Sequence, residues 1–78
     1  MKLDIFSGDR DGRPYYEANV WIYNGKGDPL ALEYFSTKRE AVAFIKRFKK
    51  AYKGTERLDC YVNRFDEEGN WEDCFDVL

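Results

Sequence analysis

The sequence predicts an α+β domain: a five-stranded antiparallel sheet with one helix packed on one face, in the order β-β-β-α-β-β. Three observations carry that expectation. Apolar residues alternate with the period of a strand at 15–23 and again at 57–65. Clusters of turn residues at 7–14, 24–28 and 66–70 break the chain between such stretches. A single segment, 37–53, has apolar residues at helical spacing instead. The 78 residues make one domain, 1–78.

The elements follow in order. Leu3 and Ile5 share a face of a short strand at 2–6. Tyr16, Ala18, Val20 and Ile22 share one face of the clearest strand; Tyr15, Glu17, Asn19, Trp21 and Tyr23 share the other. Pairing Tyr23 with Pro29 sets Ile22 against Leu30, Val20 against Leu32 and Ala18 against Tyr34, which brings the apolar sets together. Thr37 and Glu40 have capping-box spacing. Ala41, Phe44, Ile45, Phe48 and Tyr52 form the buried stripe, and Gly54 is expected to supply a left-handed stop. The opposite helix face carries Arg39, Lys46, Lys50 and Lys53. In the last hairpin, pairing Asp66 with Trp71 sets Cys60 against Val77, Val62 against Phe75 and Arg64 against Asp73 on the core face. It sets Tyr61 against Asp76, Asn63 against Cys74 and Phe65 against Glu72 outside. Across the sheet the expected order is 29–35, 15–23, 2–6, 71–77, 57–65, with one face covered by the helix and the other open.

A domain of this size buries only about 60% of its unfolded surface. Six Phe, six Tyr and two Trp concentrate contact area in few residues. No apolar run approaches the roughly 20 residues of a membrane span, and no leader pattern precedes Asp4, so a cytoplasmic protein is expected. The net charge of −2 is unevenly placed. Residues 37–53 hold seven basic and one acidic side chain, whereas residues 54–78 hold two basic and eight acidic ones. Such a bipolar molecule selects partners by charge.

No enzyme is expected. The chain has no histidine, so the commonest general base and metal ligand is missing. Cys60 falls on the core face and Cys74 on the outer face, with neither in a metal-spaced pair, so no disulfide between them is expected. The acidic loop around Asp66 lacks the alternating oxygen ligands of a calcium loop. There is no glycine-rich phosphate cradle, and no cofactor is expected. A solvated sheet face normally reads polar. Here the open face would show Tyr15, Trp21, Tyr23, Tyr61 and Phe65 beside Glu17, Glu33, Asp59, Glu72 and Asp76, the composition either of a binding patch or of rings that pair across strands to stiffen a small sheet or lie under the 7–14 loop.

Two resemblances add to this. The stretch YEANVWIYNGKG…YFSTKREAVAFIKRF resembles the three-stranded-sheet-plus-helix DNA-binding domains of plant ethylene-response factors and of tyrosine-integrase arms. The matching face carries Trp21 but has Glu17, Asn19 and Glu33 where those families bear basic residues, so direct binding to nucleic acid is not expected. In its style (short, acidic, rich in aromatics, without catalytic residues) the chain is similar to the small phage-encoded inhibitors of bacterial defence, the anti-CRISPR proteins among them. That resemblance implies an inhibitor that blocks a host nucleic-acid-handling complex from within the bacterial cytoplasm. The expected partner is a host protein or complex with a basic surface. The expected contact residues are Trp21, Tyr23, Tyr61, Phe65, Asp66, Glu67, Glu68, Glu72, Asp73 and Asp76. The alternative is a nucleic-acid-binding module using Arg39, Lys46, Lys50 and Lys53, or stacking on the sheet aromatics. Monomer and dimer are both open.

Overall fold

The computed structural model describes residues 13–77. Their elements are β1 (Tyr15–Ile22), β2 (Ala31–Phe35), α1 (Lys38–Ala51), β3 (Leu58–Phe65) and β4 (Trp71–Asp76). The sheet is antiparallel with four strands in the order β2-β1-β3-β4. This corrects the five-stranded sheet expected from sequence. The strand expected at 2–6 lies outside the described residues, and the expected order fails because β1 pairs directly with β3, from Tyr15–Phe65 through Ile22–Leu58. The physical reason lies in the core-facing side chains. Ala18, Val20, Cys60 and Val62 are small or branched and at most 5% exposed. Side by side they make a level floor on which one helix can rest.

The β1–β2 register also differs from expectation, by one residue. Tyr16 pairs with Phe35, Ala18 with Glu33 and Val20 with Ala31. A slip of one residue turns every side chain of a strand over. Ala31 and Phe35 therefore face the helix, while Leu30, Leu32 and Tyr34 lie on the outer face. The helix decides this. It starts three residues after Phe35, whose ring packs against Phe44 at 5.5 Å between centroids. Counting back in twos from Phe35 places Glu33 at the rim of the core side and Tyr34 outside. A turn at 22–25, closed by the Gly25 amide donating to the Ile22 carbonyl at 2.7 Å with Asn24 at φ 59°, and a looser stretch to Pro29 accommodate that register.

Helix α1 is capped by Thr37, whose Oγ1 accepts the Glu40 amide at 3.2 Å. The Glu40 carboxylate accepts the Thr37 hydroxyl at 3.1 Å, a variant of the expected reciprocal cap. Ala41 and Ile45 are fully buried; Val42, Phe44 and Phe48 pack around them at the edges of the core. Gly54 is not the left-handed stop expected. The chain leaves the helix in extended conformation at Tyr52, φ −69° and ψ 128°. Gly54 instead leaves room for the Tyr52 ring, which a Cβ there would strike, as its hydroxyl donates to Glu56 at 2.6 Å. Tyr52 thus stacks on Phe48 at the rim and lies outside the core, and Lys53 lies beyond the helix.

The β3–β4 hairpin keeps the expected register from Tyr61–Asp76 to Arg64–Asp73. A bulge then pairs Phe65 with Trp71, not with Glu72. Glu72 is the extra residue, and it, not the cross-strand neighbour Asp73, pairs with Arg64, whose Nε lies 3.0 Å from the Glu72 Oε1. Among the described residues no helix is long and apolar enough to cross a membrane.

Candidate functional site

The helix covers one face of the sheet, so the other face sets what the molecule can present. Its strand positions read, row by row from β2 to β4, Tyr15–Phe65–Trp71, then Tyr34–Glu17–Asn63–Cys74, then Leu32–Asn19–Tyr61–Asp76, then Trp21–Asp59. Seven of these thirteen are aromatic or leucine, three are carboxylates and none is Lys or Arg. The exposed large hydrophobics of the described residues are Tyr23, Leu30, Leu32, Tyr34 and Trp71, and all five belong to this face or its end. Alternation predicts a polar solvent face for such a sheet.

The centre of the face is a polar network set among rings. Glu17 Oε1 accepts Asn19 Nδ2 at 3.0 Å and Asn63 Nδ2 at 3.1 Å. Asn63 Oδ1 in turn accepts the Trp71 indole Nε1 at 3.1 Å. Asn19 is 3% exposed and also donates to the Glu17 carbonyl at 3.2 Å, so its buried amide group is anchored. The Tyr34 phenol is pushed up from its usual range, first by burial, then by the Glu17 charge and a hydrogen bond to that carboxylate. Around this network the Tyr15 and Phe65 rings stack at 4.9 Å, and Tyr34 meets Tyr15 edge-on at 6.0 Å. These contacts stiffen the face and hold its rings in place.

At one end lies the 66–70 turn. Asp66 accepts the amides of Glu68 at 2.9 Å and Asn70 at 2.8 Å, and Gly69 at φ 88° closes the reversal. These hydrogen bonds, that from the Asn70 amide foremost, hold the Asp66 carboxyl below the usual range. Its role is to build the turn, while Glu67 and Glu68 stand exposed beside it. At the other end Arg57 lies over the Tyr23 ring at 4.5 Å. A shallow pocket there, about 180 Å³, is lined by Tyr23, Arg57, Asp59, Asp76 and their neighbours. Small-molecule sites are usually about 300–1,000 Å³.

The residues expected to bind a partner thus fall into three groups. Trp21, Tyr61, Phe65 and Asp76 share the outer face, and Tyr23 lies at its end beside Arg57. Asp66, Glu67 and Glu68 form the turn at its end. Glu72 and Asp73 turn toward the helix side with Arg64. Of the face expected from sequence, Glu33 moves to the helix side and Tyr15 is buried at 7% exposure. Leu30, Leu32, Tyr34 and Trp71 were missed; the position of Phe35 next to the helix cap was the signal that could have found the first three. Of the alternative set, Arg39, Lys46 and Lys50 are exposed on α1, and Lys53 follows it.

Both cysteines are free, Cys60 buried and Cys74 exposed. Burial pushes the Cys60 thiol up; burial and the Asp76, Asp73 and Asp59 charges push Cys74 up. A thiol held in that form is a poor nucleophile. Among the described residues no group of three or more Cys, Asp or Glu is arranged to hold a metal ion. Comparison with protein-family models, with curated proteins and with solved structures found no match.

Proposed function

We propose that this chain is a non-enzymatic binding protein that docks through the outer face of its sheet onto a basic protein surface. The observation that carries this reading is the gathering of the exposed large hydrophobics on the one sheet face whose strand positions hold carboxylates and no cations. Exposed rings and leucines supply area that can be desolvated, and that is where lasting contact energy comes from. The carboxylates and the Glu67–Glu68 turn steer the encounter toward positive charge. A basic groove built for nucleic acid offers that charge, so the finer reading is an inhibitor of a nucleic-acid-handling complex in the bacterial cytoplasm, of the phage-encoded anti-CRISPR kind.

The test is affinity capture from bacterial lysate with three immobilised forms. Wild type should retain a basic protein. The pair Leu32→Asp with Trp71→Ala, both at exposed positions, should lose it, while Lys46→Glu with Lys50→Glu should keep it. The captured protein, purified, should lose its nucleic acid when this chain is added. The opposite pattern, retention by the first pair and loss by the second, would refute the reading. A second reading rests on the exposed line of Arg39, Lys46 and Lys50 along α1, which could contact phosphates. It requires a salt-sensitive shift of labelled DNA or RNA by the free protein.

A further inference from the structure

We infer that the outer face receives an arginine side chain of the partner, with Glu17 as the carboxylate that anchors it. This rests on the sheet-face reading above and goes on to name the group recognised. Glu17 sits mid-face and half-buried, and two asparagine amides on its Oε1 fix the carboxyl's orientation. The Tyr34 phenol also hydrogen-bonds this carboxylate, and since a carboxylate has about four lone-pair sites, roughly one is left for a partner's donor. No Lys or Arg is seen paired with it among the described residues, and Arg64, which pairs with Glu72, does so on the helix side. The other charges on the outer strand positions, Asp59 and Asp76, have the same sign. A pre-oriented carboxylate with no cation paired to it among the described residues, set among rings, is half of a charge pair.

The surroundings choose the other half. Tyr34 is the register neighbour of Glu17 on one side, and the Trp71 indole is tied to Asn63 on the other. A guanidinium is flat, weakly hydrated and able to donate to a carboxylate while lying on a ring. An ammonium is more strongly hydrated and gives up more on leaving water. At the described strand positions phosphates would meet three carboxylates and no cation, which disfavours nucleic acid there. A second copy of this chain could offer its basic helix, but helix-to-sheet contact is head-to-tail and need not close.

The experiment is a heteronuclear NMR titration of the 15N-labelled full chain, whose two Trp indole signals report on the face. The probe is a blocked pentapeptide with two arginines; controls replace them with citrulline, which is neutral and of like shape, or with lysine. The arginine peptide should move the Trp71 indole and the Glu17 and Asn63 signals saturably, at about millimolar concentration. The citrulline peptide should leave them in place, and lysine should bind more weakly. Glu17→Gln, which keeps an acceptor for both asparagines, should weaken the arginine peptide about tenfold.

Equal binding of the citrulline peptide, equal binding by Glu17→Gln, or shifts confined to Glu67 and Glu68 would overturn the assignment. So would a DNA or RNA oligonucleotide that moves the same signals further, or outer-face shifts that follow protein concentration without peptide, the mark of a second copy. The two readings separate on the captured partner. If Glu17→Gln retains it and Leu32→Asp does not, the sheet face stands and the arginine assignment falls; if both retain it, both fall.

Discussion

Leu32 and Ile45 test the placement of the outer face most directly, because the two β1–β2 registers assign them opposite relative costs. Truncating either to Ala removes about three methyl or methylene groups, roughly 2.4 kcal/mol of transfer free energy at full burial. Ile45 is fully buried under the sheet, so a cavity cost adds to transfer and the loss should be about 3–4 kcal/mol. Leu32 is 37% exposed on an edge strand. Only part of its transfer term applies, water fills the space left behind, and the loss should be about 1 kcal/mol. A domain of this length has about 4–12 kcal/mol in total, so Ile45→Ala should come close to unfolding it while Leu32→Ala should not. With a urea slope of about 1 kcal/mol/M, the midpoints should fall by roughly 3 M and 1 M. Urea melts followed by far-UV circular dichroism decide it. Equal losses would mean that Leu32 is in the core, and the outer face proposed for binding would lose its exposed leucines.

Three further outcomes follow from the same structure. Asp66 is held below the usual carboxylate range, so the stability it contributes is present above the unfolded-state value and is lost as pH falls through the lower folded one. Asp66→Asn should therefore be less stable than wild type at pH 7, by a gap that closes toward pH 2–3; a gap that widens on acidification would contradict the turn assignment. In the native protein at pH 8, Ellman's reagent should label Cys74 slowly and leave Cys60 unreacted until urea is added; prompt labelling of two thiols would place Cys60 outside the core. Lys46→Glu with Lys50→Glu changes two exposed side chains and should alter stability by no more than about 0.5 kcal/mol each; a loss of several kcal/mol in urea melts would mean that this helix face is packed.

Local rules determined much of this protein. Thr37 and Glu40 mark the helix start because a cap is made by neighbours three residues apart. Ala41 and Ile45 mark its buried side by their spacing. Val62–Phe75 and Arg64–Asp73 follow from alternation across a short, well-marked turn. Trp21, Tyr61 and Phe65 were legible as outward aromatics for the same reason. What tertiary structure alone decided is which strands are neighbours and how β2 sits against β1. Strand order depends on contacts between residues far apart in sequence, here Val20 with Cys60 and Ala18 with Val62, and no local pattern encodes them. The β2 register turned on a choice between two apolar sets, Leu30–Leu32–Tyr34 and Ala31–Phe35, and periodicity favoured the larger one. The helix reversed it, because Phe35 is the residue near enough to the cap to meet Phe44. That one-residue slip sent two leucines and a tyrosine outward, and it gathered the exposed large hydrophobics of the described residues on the aromatic sheet face and its end.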